Sequence, residues 1–95
     1  MNSKLFTKCY RIAFRVRSCD CSALDFLNTQ VTNDLNRIVD GQAQYTMLCN
    51  PDGGVVDDLI VYRNSATDLF LIPNASNTTD VVAIISAVAP AGIEV

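Results

Sequence analysis

Residues 41–63, GQAQYTMLCNPDGGVVDDLIVYR, restrict what this chain can become more than any other segment. Two period-two runs flank a turn. In the first, Ala43, Tyr45, Met47 and Cys49 alternate with Gln42, Gln44, Thr46 and Leu48. In the second, Val56, Asp58, Ile60 and Tyr62 share one face, and Val55, Asp57, Leu59 and Val61 share the other, because successive side chains of a strand point to opposite sides. Between the runs, Pro51 presets φ while Gly53 and Gly54 tolerate positive φ. The spacing predicts a β-hairpin over residues 42–63.

Asp57 and Asp58 are out of keeping with this strand. Aspartate is a poor strand former and is costly to bury without partners. Period two sends the pair to opposite sides of the sheet, so they cannot share one proton as a dyad or flank one glycosidic bond. A buried Asp58 is a candidate functional carboxylate. Asp57 then needs its own account: Arg63, a neighbouring strand, or backbone N–H groups of the hairpin turn. Tyr45 and Tyr62 could offer phenol hydroxyls to a ligand or serve as ordinary packing. The DGG segment lacks the lysine and following helix of a P-loop. Asp52, Asp57 and Asp58 lack the spacing of an EF-hand, so no metal site is expected.

The rest of the chain surrounds the hairpin with two helices and further strands. Residues 10–18 alternate Ile12, Phe14 and Val16 against Arg11, Arg15 and Arg17, which predicts a half-buried strand. Asp20 or Ser22 offers an N-cap, and Leu24, Leu27 and Val31 recur at helical spacing, so a helix over 21–29 is expected. Residues 31–41 read as a cap, one turn and a stop at Gly41. After a turn at 64–68, residues 69–73 form another strand. A second helix follows, capped by Asn77 or Thr78, apolar along Val81, Ile84, Ile85 and Val88, and ended by Pro90 and Gly92. The final IEV looks like the opening of one more strand. The order β-α-β-β-β-α-β predicts an α+β fold, an antiparallel sheet with helices packed on one face.

Hydrophobic residues make up 49% of the 95, which fits one globular domain or part of one and excludes disorder. The apolar runs are too short for a transmembrane helix, and no secretory signal pattern is visible. No membrane association is expected. Lys4, Lys8, Arg11, Arg15 and Arg17 open the chain without an acid, whereas Arg37 and Arg63 face ten acids in the remainder. The basic start reads as an organellar address, an anion-binding arm or a strand with outward arginines. A nucleic-acid partner is not expected on an otherwise acidic chain without interleaved aromatic and basic residues. Cys9, Cys19, Cys21 and Cys49 lack zinc-site spacing, and the chain has no histidine, so reduced thiols in a cytoplasmic protein are expected.

Taken in order, FLNTQVTNDL, GQAQYTMLCNPDGGVVDDLIVYR and LFLIPNASNTTDVV resemble the aminomethyltransferases of the glycine cleavage system, the T proteins. The resemblance covers residues 12–95, a partial folate-binding domain, and leaves residues 1–11 unmatched. Sarcosine and dimethylglycine dehydrogenase C-terminal regions share the pattern more loosely. The Lys-Gly-Cys-Tyr type motif of the iron–sulfur-assembly relatives is absent. What the resemblance implies is a tetrahydrofolate-dependent transfer. A lipoyl-bearing H protein carries an aminomethyl group, its methylene passes to tetrahydrofolate, and ammonia is released. Asp58 matches the family's catalytic carboxylate near folate N10. Tyr45 and Tyr62 match tyrosines of the folate pocket, and Asn74 and Asn77 match a loop that approaches the pterin. Thr32, Asn33 and Asp34 match a structural cap and turn.

The chain also departs from the family pattern. Its members run to several hundred residues, an FDVSHMG-like segment ahead of the first strand is missing, and so is the later folate-binding portion. A truncated and inactive fragment is therefore the leading expectation, in a bacterial cytoplasm or a mitochondrial matrix. A non-catalytic folate-binding or protein-interaction module is the alternative.

Overall fold

The computed structural model describes residues 13–20 and 22–95. The elements run β1 (Phe14–Arg17), α1 (Ser22–Gln30), a 3-10 turn (Leu35–Arg37), β2 (Gln42–Cys49), β3 (Val55–Ser65), β4 (Asp68–Ile72), a second 3-10 turn (Ala75–Asn77) and α2 (Thr78–Val88). The strands form one antiparallel sheet in the order β1-β4-β3-β2. The expected α+β architecture is present. The part of the β1 expectation that falls on residues 10–12 lies outside the described residues.

The hairpin forms where the sequence predicts it, with Tyr45 opposite Ile60, Met47 opposite Asp58 and Leu48 opposite Asp57. Its turn has an organiser that residue spacing does not reveal. The Asn50 side-chain oxygen accepts the N–H groups of Asp52 (3.2 Å) and Gly54 (2.9 Å). The Asn50 carbonyl also accepts the N–H of Gly53 at 2.9 Å. Gly53 sits at φ +88°, a conformation that a side chain disfavours.

Alternation along the strands decides which residues meet the helices. Leu48, Leu59, Val61, Leu69, Leu71 and Val16 share the inner face. Ala23, Leu24 and Leu27 of α1 and Val81 and Ile85 of α2 join the same cluster. Both helices therefore cover one side of the sheet. Tyr45, Met47, Ile60 and Tyr62 are exposed on the other. Removing apolar side chains of this kind from water drives the packing, at roughly 1.5–3 kcal/mol for each one fully buried.

Short polar contacts set the helix boundaries. The Asp20 carboxylate accepts the Ser22 N–H at 2.9 Å, and the Ser18 hydroxyl oxygen accepts that of Ala23 at 3.0 Å. Val31 falls just past α1 and bridges to Leu48 of β2, and α1 ends at Gln30, one residue beyond the expected 29. Asp34 caps the first 3-10 turn by accepting the Asn36 N–H at 3.0 Å, as the cap reading of that segment expects.

Residues 93–95, expected to open a further strand, meet β1 in an antiparallel bridge: Arg17 and Glu94 exchange backbone hydrogen bonds of 2.9 and 2.8 Å, and Arg17 Nε binds Glu94 Oε2 at 3.2 Å. Two expectations need correction. Asn77 precedes α2 but makes no side-chain cap bond there; its amide is used elsewhere. Arg63 does not serve Asp57. Its guanidinium binds Asp40 Oδ1 (3.1 Å) and the carbonyls of Ile38 (2.8 Å) and Leu35 (3.4 Å), tying the end of β3 to the first 3-10 turn.

Candidate functional site

β3 presents the two aspartates to opposite environments. Asp57 points inward and is 3% exposed, whereas Asp58 stands on the outer face. The buried carboxylate is thus Asp57, not Asp58. Strand parity separates the pair correctly, but the side the helices cover decides which of them is inside.

Asp57 finds its partners where β4 leads into α2. Its Oδ2 accepts the backbone N–H of Asn74 at 2.8 Å. Its Oδ1 accepts the side-chain amides of Asn74 at 2.7 Å and Asn77 at 3.0 Å. A buried carboxylate needs several donors, and this segment supplies three. None of the partners named from the strand alone is used.

Asp58 is bound from two sides. The Tyr45 hydroxyl donates to its Oδ2, diagonally across the β2–β3 pairing, a separation that a long aromatic side chain spans. The Asn74 amide donates to its Oδ1 at 2.9 Å. These two donors hold the Asp58 carboxyl below its ordinary range, the tyrosine contributing most. The same hydrogen bond pushes the Tyr45 phenol above its ordinary value. At neutral pH Asp58 is therefore an anion and Tyr45 a neutral donor.

Around this anion the outer face is apolar. Met47 lies directly opposite Asp58, and Ile60 and Tyr62 continue its row along β3. Tyr62 stands beside Phe70 on β4 and is 40% exposed. Among the described residues it makes no hydrogen bond to Asp58. A flat platform of this composition suits a planar ring, and the fixed carboxylate suits an N–H donor or a developing positive charge at the ring's edge.

The structure brings Asp58, Tyr45 and Asn74 into direct contact and joins Asn77 to them through Asp57. Tyr62 shares the face without joining the network. Residue spacing does not reveal that Asn74 bonds both aspartates at once. The available signal is a short polar residue, Asn74, where an apolar strand gives way to a helix cap.

Comparison with known proteins places this arrangement in context. The model of the GCVT N-terminal domain matches residues 20–95. An aminomethyltransferase of a Parafrankia species is 51% identical over 81 residues, 85% of this chain and 22% of the relative. The aminomethyltransferase of Chlorobaculum parvum is 67% identical over 55 residues, covering 58% of this chain and 15% of its own. Among solved structures, the glycine cleavage system aminomethyltransferase T from Bartonella henselae superposes with a TM-score of 0.72 at 28% identity, over 79% of this chain and 20% of that one. The chain spans about a fifth of the length of the curated relatives it matches.

Proposed function

Because the chain belongs to the GCVT N-terminal domain family, we propose that it supplies the carboxylate wall of a tetrahydrofolate site in an aminomethyltransferase. The observation that carries this reading is Asp58, ionised and clamped by Tyr45 and Asn74 on an exposed aromatic face. In the reaction, the methylene carbon of an aminomethyl group on the lipoyl sulfur of H protein becomes bonded to the two folate nitrogens. The carbon–sulfur bond breaks to return a thiol, the carbon–nitrogen bond breaks to release ammonia, and the two folate N–H protons pass to those leaving groups.

Asp58 would accept a hydrogen bond at folate N10 and favour the positive charge that builds on the methylene carbon. Tyr45 and Tyr62 would face the ring system, and the loop with Asn74 and Asn77 would border the pterin. Free thiols at Cys19 and Cys49 suit a reducing compartment such as the cytoplasm or the mitochondrial matrix. No helix among the described residues is long and apolar enough to cross a membrane.

The test uses the segment set into a full-length relative such as the Parafrankia enzyme. Asp58→Asn should lower transfer from lipoyl-linked H protein to tetrahydrofolate by about 100-fold or more, the scale of a positioned catalytic carboxylate. An unchanged rate removes Asp58 from the chemistry. The 95-residue chain by itself should give no product, since one wall does not hold the reactants together. A second reading is a folate-binding or interaction module without catalysis, for which the exposed face of Tyr45, Met47, Ile60 and Tyr62 is the supporting observation. Low-micromolar tetrahydrofolate binding by calorimetry, without turnover, would select it.

A further inference from the structure

The Asn74 side-chain amide has two N–H bonds, and both are committed within the protein. One points to Asp57 Oδ1 at 2.7 Å and the other to Asp58 Oδ1 at 2.9 Å. Its backbone N–H is committed as well, to Asp57 Oδ2 at 2.8 Å. The Asn77 amide also donates to Asp57, at 3.0 Å. The donors at the front of this loop thus turn toward the two carboxylates and away from any ligand.

We propose that Asn74 is a positioning residue: anchored by buried Asp57, it fixes the orientation of the Asp58 carboxylate, with Asn77 bracing the anchor. This deepens the tetrahydrofolate reading above and rests on it for its catalytic meaning. The geometry supports a division of labour. Asp57 cannot reach the outer face, yet two of its three donors come from Asn74, so the inner carboxylate locks the amide that holds the outer one. A carboxylate on an open face would otherwise rotate freely about its side-chain bonds. Held at Oδ1 by Asn74 and at Oδ2 by Tyr45, Asp58 presents its remaining lone pairs in one direction. Replacing the asparagine amide by a ligand-binding role would leave Asp57 short of donors, which a buried carboxylate does not tolerate well.

The titratable groups beside Asp58 are Tyr45 from β2 and Asp57 and Tyr62 on its own strand. Residues 73–77 bring no titratable side chain. The test is a carboxyl-carbon NMR titration of the 95-residue chain, which needs no folate. Asn74→Ala should move the Asp58 midpoint upward. Asn77→Ala, which strips a donor from Asp57 alone, should lower stability and leave the Asp58 midpoint in place. An unmoved midpoint in Asn74→Ala, or equal shifts in both variants, overturns the proposal. Should Asn74→Ala fail to fold, the unaltered chain still decides: the Asn74 side-chain amide signals should follow the Asp58 titration, and amide signals that ignore it overturn the assignment. The titration and folate calorimetry can fail independently, so loss of one reading is distinguishable from loss of the other.

Discussion

Asp57 and Asp58, adjacent in sequence, project through opposite faces of one sheet, the first buried among asparagine donors and the second open beside Tyr45. Neighbouring carboxylates at this spacing repel within one environment. The strand avoids that by giving each its own surroundings.

The two should respond differently to mutation. Asp57→Ala removes a buried side chain together with its three hydrogen bonds from Asn74 and Asn77, at a cost of about 2–4 kcal/mol. Asp58→Ala removes an exposed side chain and should lower stability far less than Asp57→Ala. Urea unfolding followed by circular dichroism measures both. Equal losses would mean that the outer carboxylate carries the fold as much as the inner one.

The Tyr45–Asp58 bond sets a pH window. Asp58 has a lowered folded value, so its contribution is complete above the ordinary carboxylate value of about 4 and is lost as pH falls through the lower folded value. Tyr45 has a raised folded value, so its contribution is complete below the ordinary phenol value of about 10 and is lost as pH rises through the higher one. The phenolate absorbance of Tyr45, isolated by difference from Tyr45→Phe, should titrate at lower pH once Asp58 is replaced by asparagine. An unmoved titration would show that the hydrogen bond is not formed in solution.

Arg63 offers a separate test of how the hairpin is tied down. Its side chain is 18% exposed and its partner Asp40 is 63% exposed. The value of Arg63 therefore lies in the carbonyls of Ile38 and Leu35 more than in the ion pair. Arg63→Ala should destabilise by roughly 2–3 kcal/mol, and Arg63→Lys by less because one ammonium replaces a planar fork. Asp40→Asn should fall within about 1 kcal/mol. A larger loss in Asp40→Asn than in Arg63→Ala would contradict this ranking, and thermal unfolding of the three variants reads it.

Much of this architecture is legible in the residues. The hairpin is readable because two period-two runs meet at a proline–glycine turn, and the separation of Asp57 from Asp58 needs only parity. The inward side of β3 is not readable from the strand, because Val56, Ile60 and Tyr62 are as apolar as Val55, Leu59 and Val61. The helices decide it, through contacts remote in sequence. Asn74 bonding to Asp57 across 17 residues is likewise invisible to periodicity; Asn77 holds the expected N-cap position, but its side chain makes no cap bond and its amide donates to Asp57 instead.

The sheet order has a kinetic meaning. β2, β3 and β4 pair with chain neighbours, whereas β1 joins β4 only after the intervening chain has been gathered in. Closing a long loop costs entropy before its contacts repay it, so the three-strand meander should assemble first and β1 dock late. Mutant folding rates report this order. Leu59→Ala should slow folding, while Val16→Ala should mainly speed unfolding. The outer carboxylate and its tyrosine would then be in place before the first strand arrives, since β2 and β3 alone bring them together.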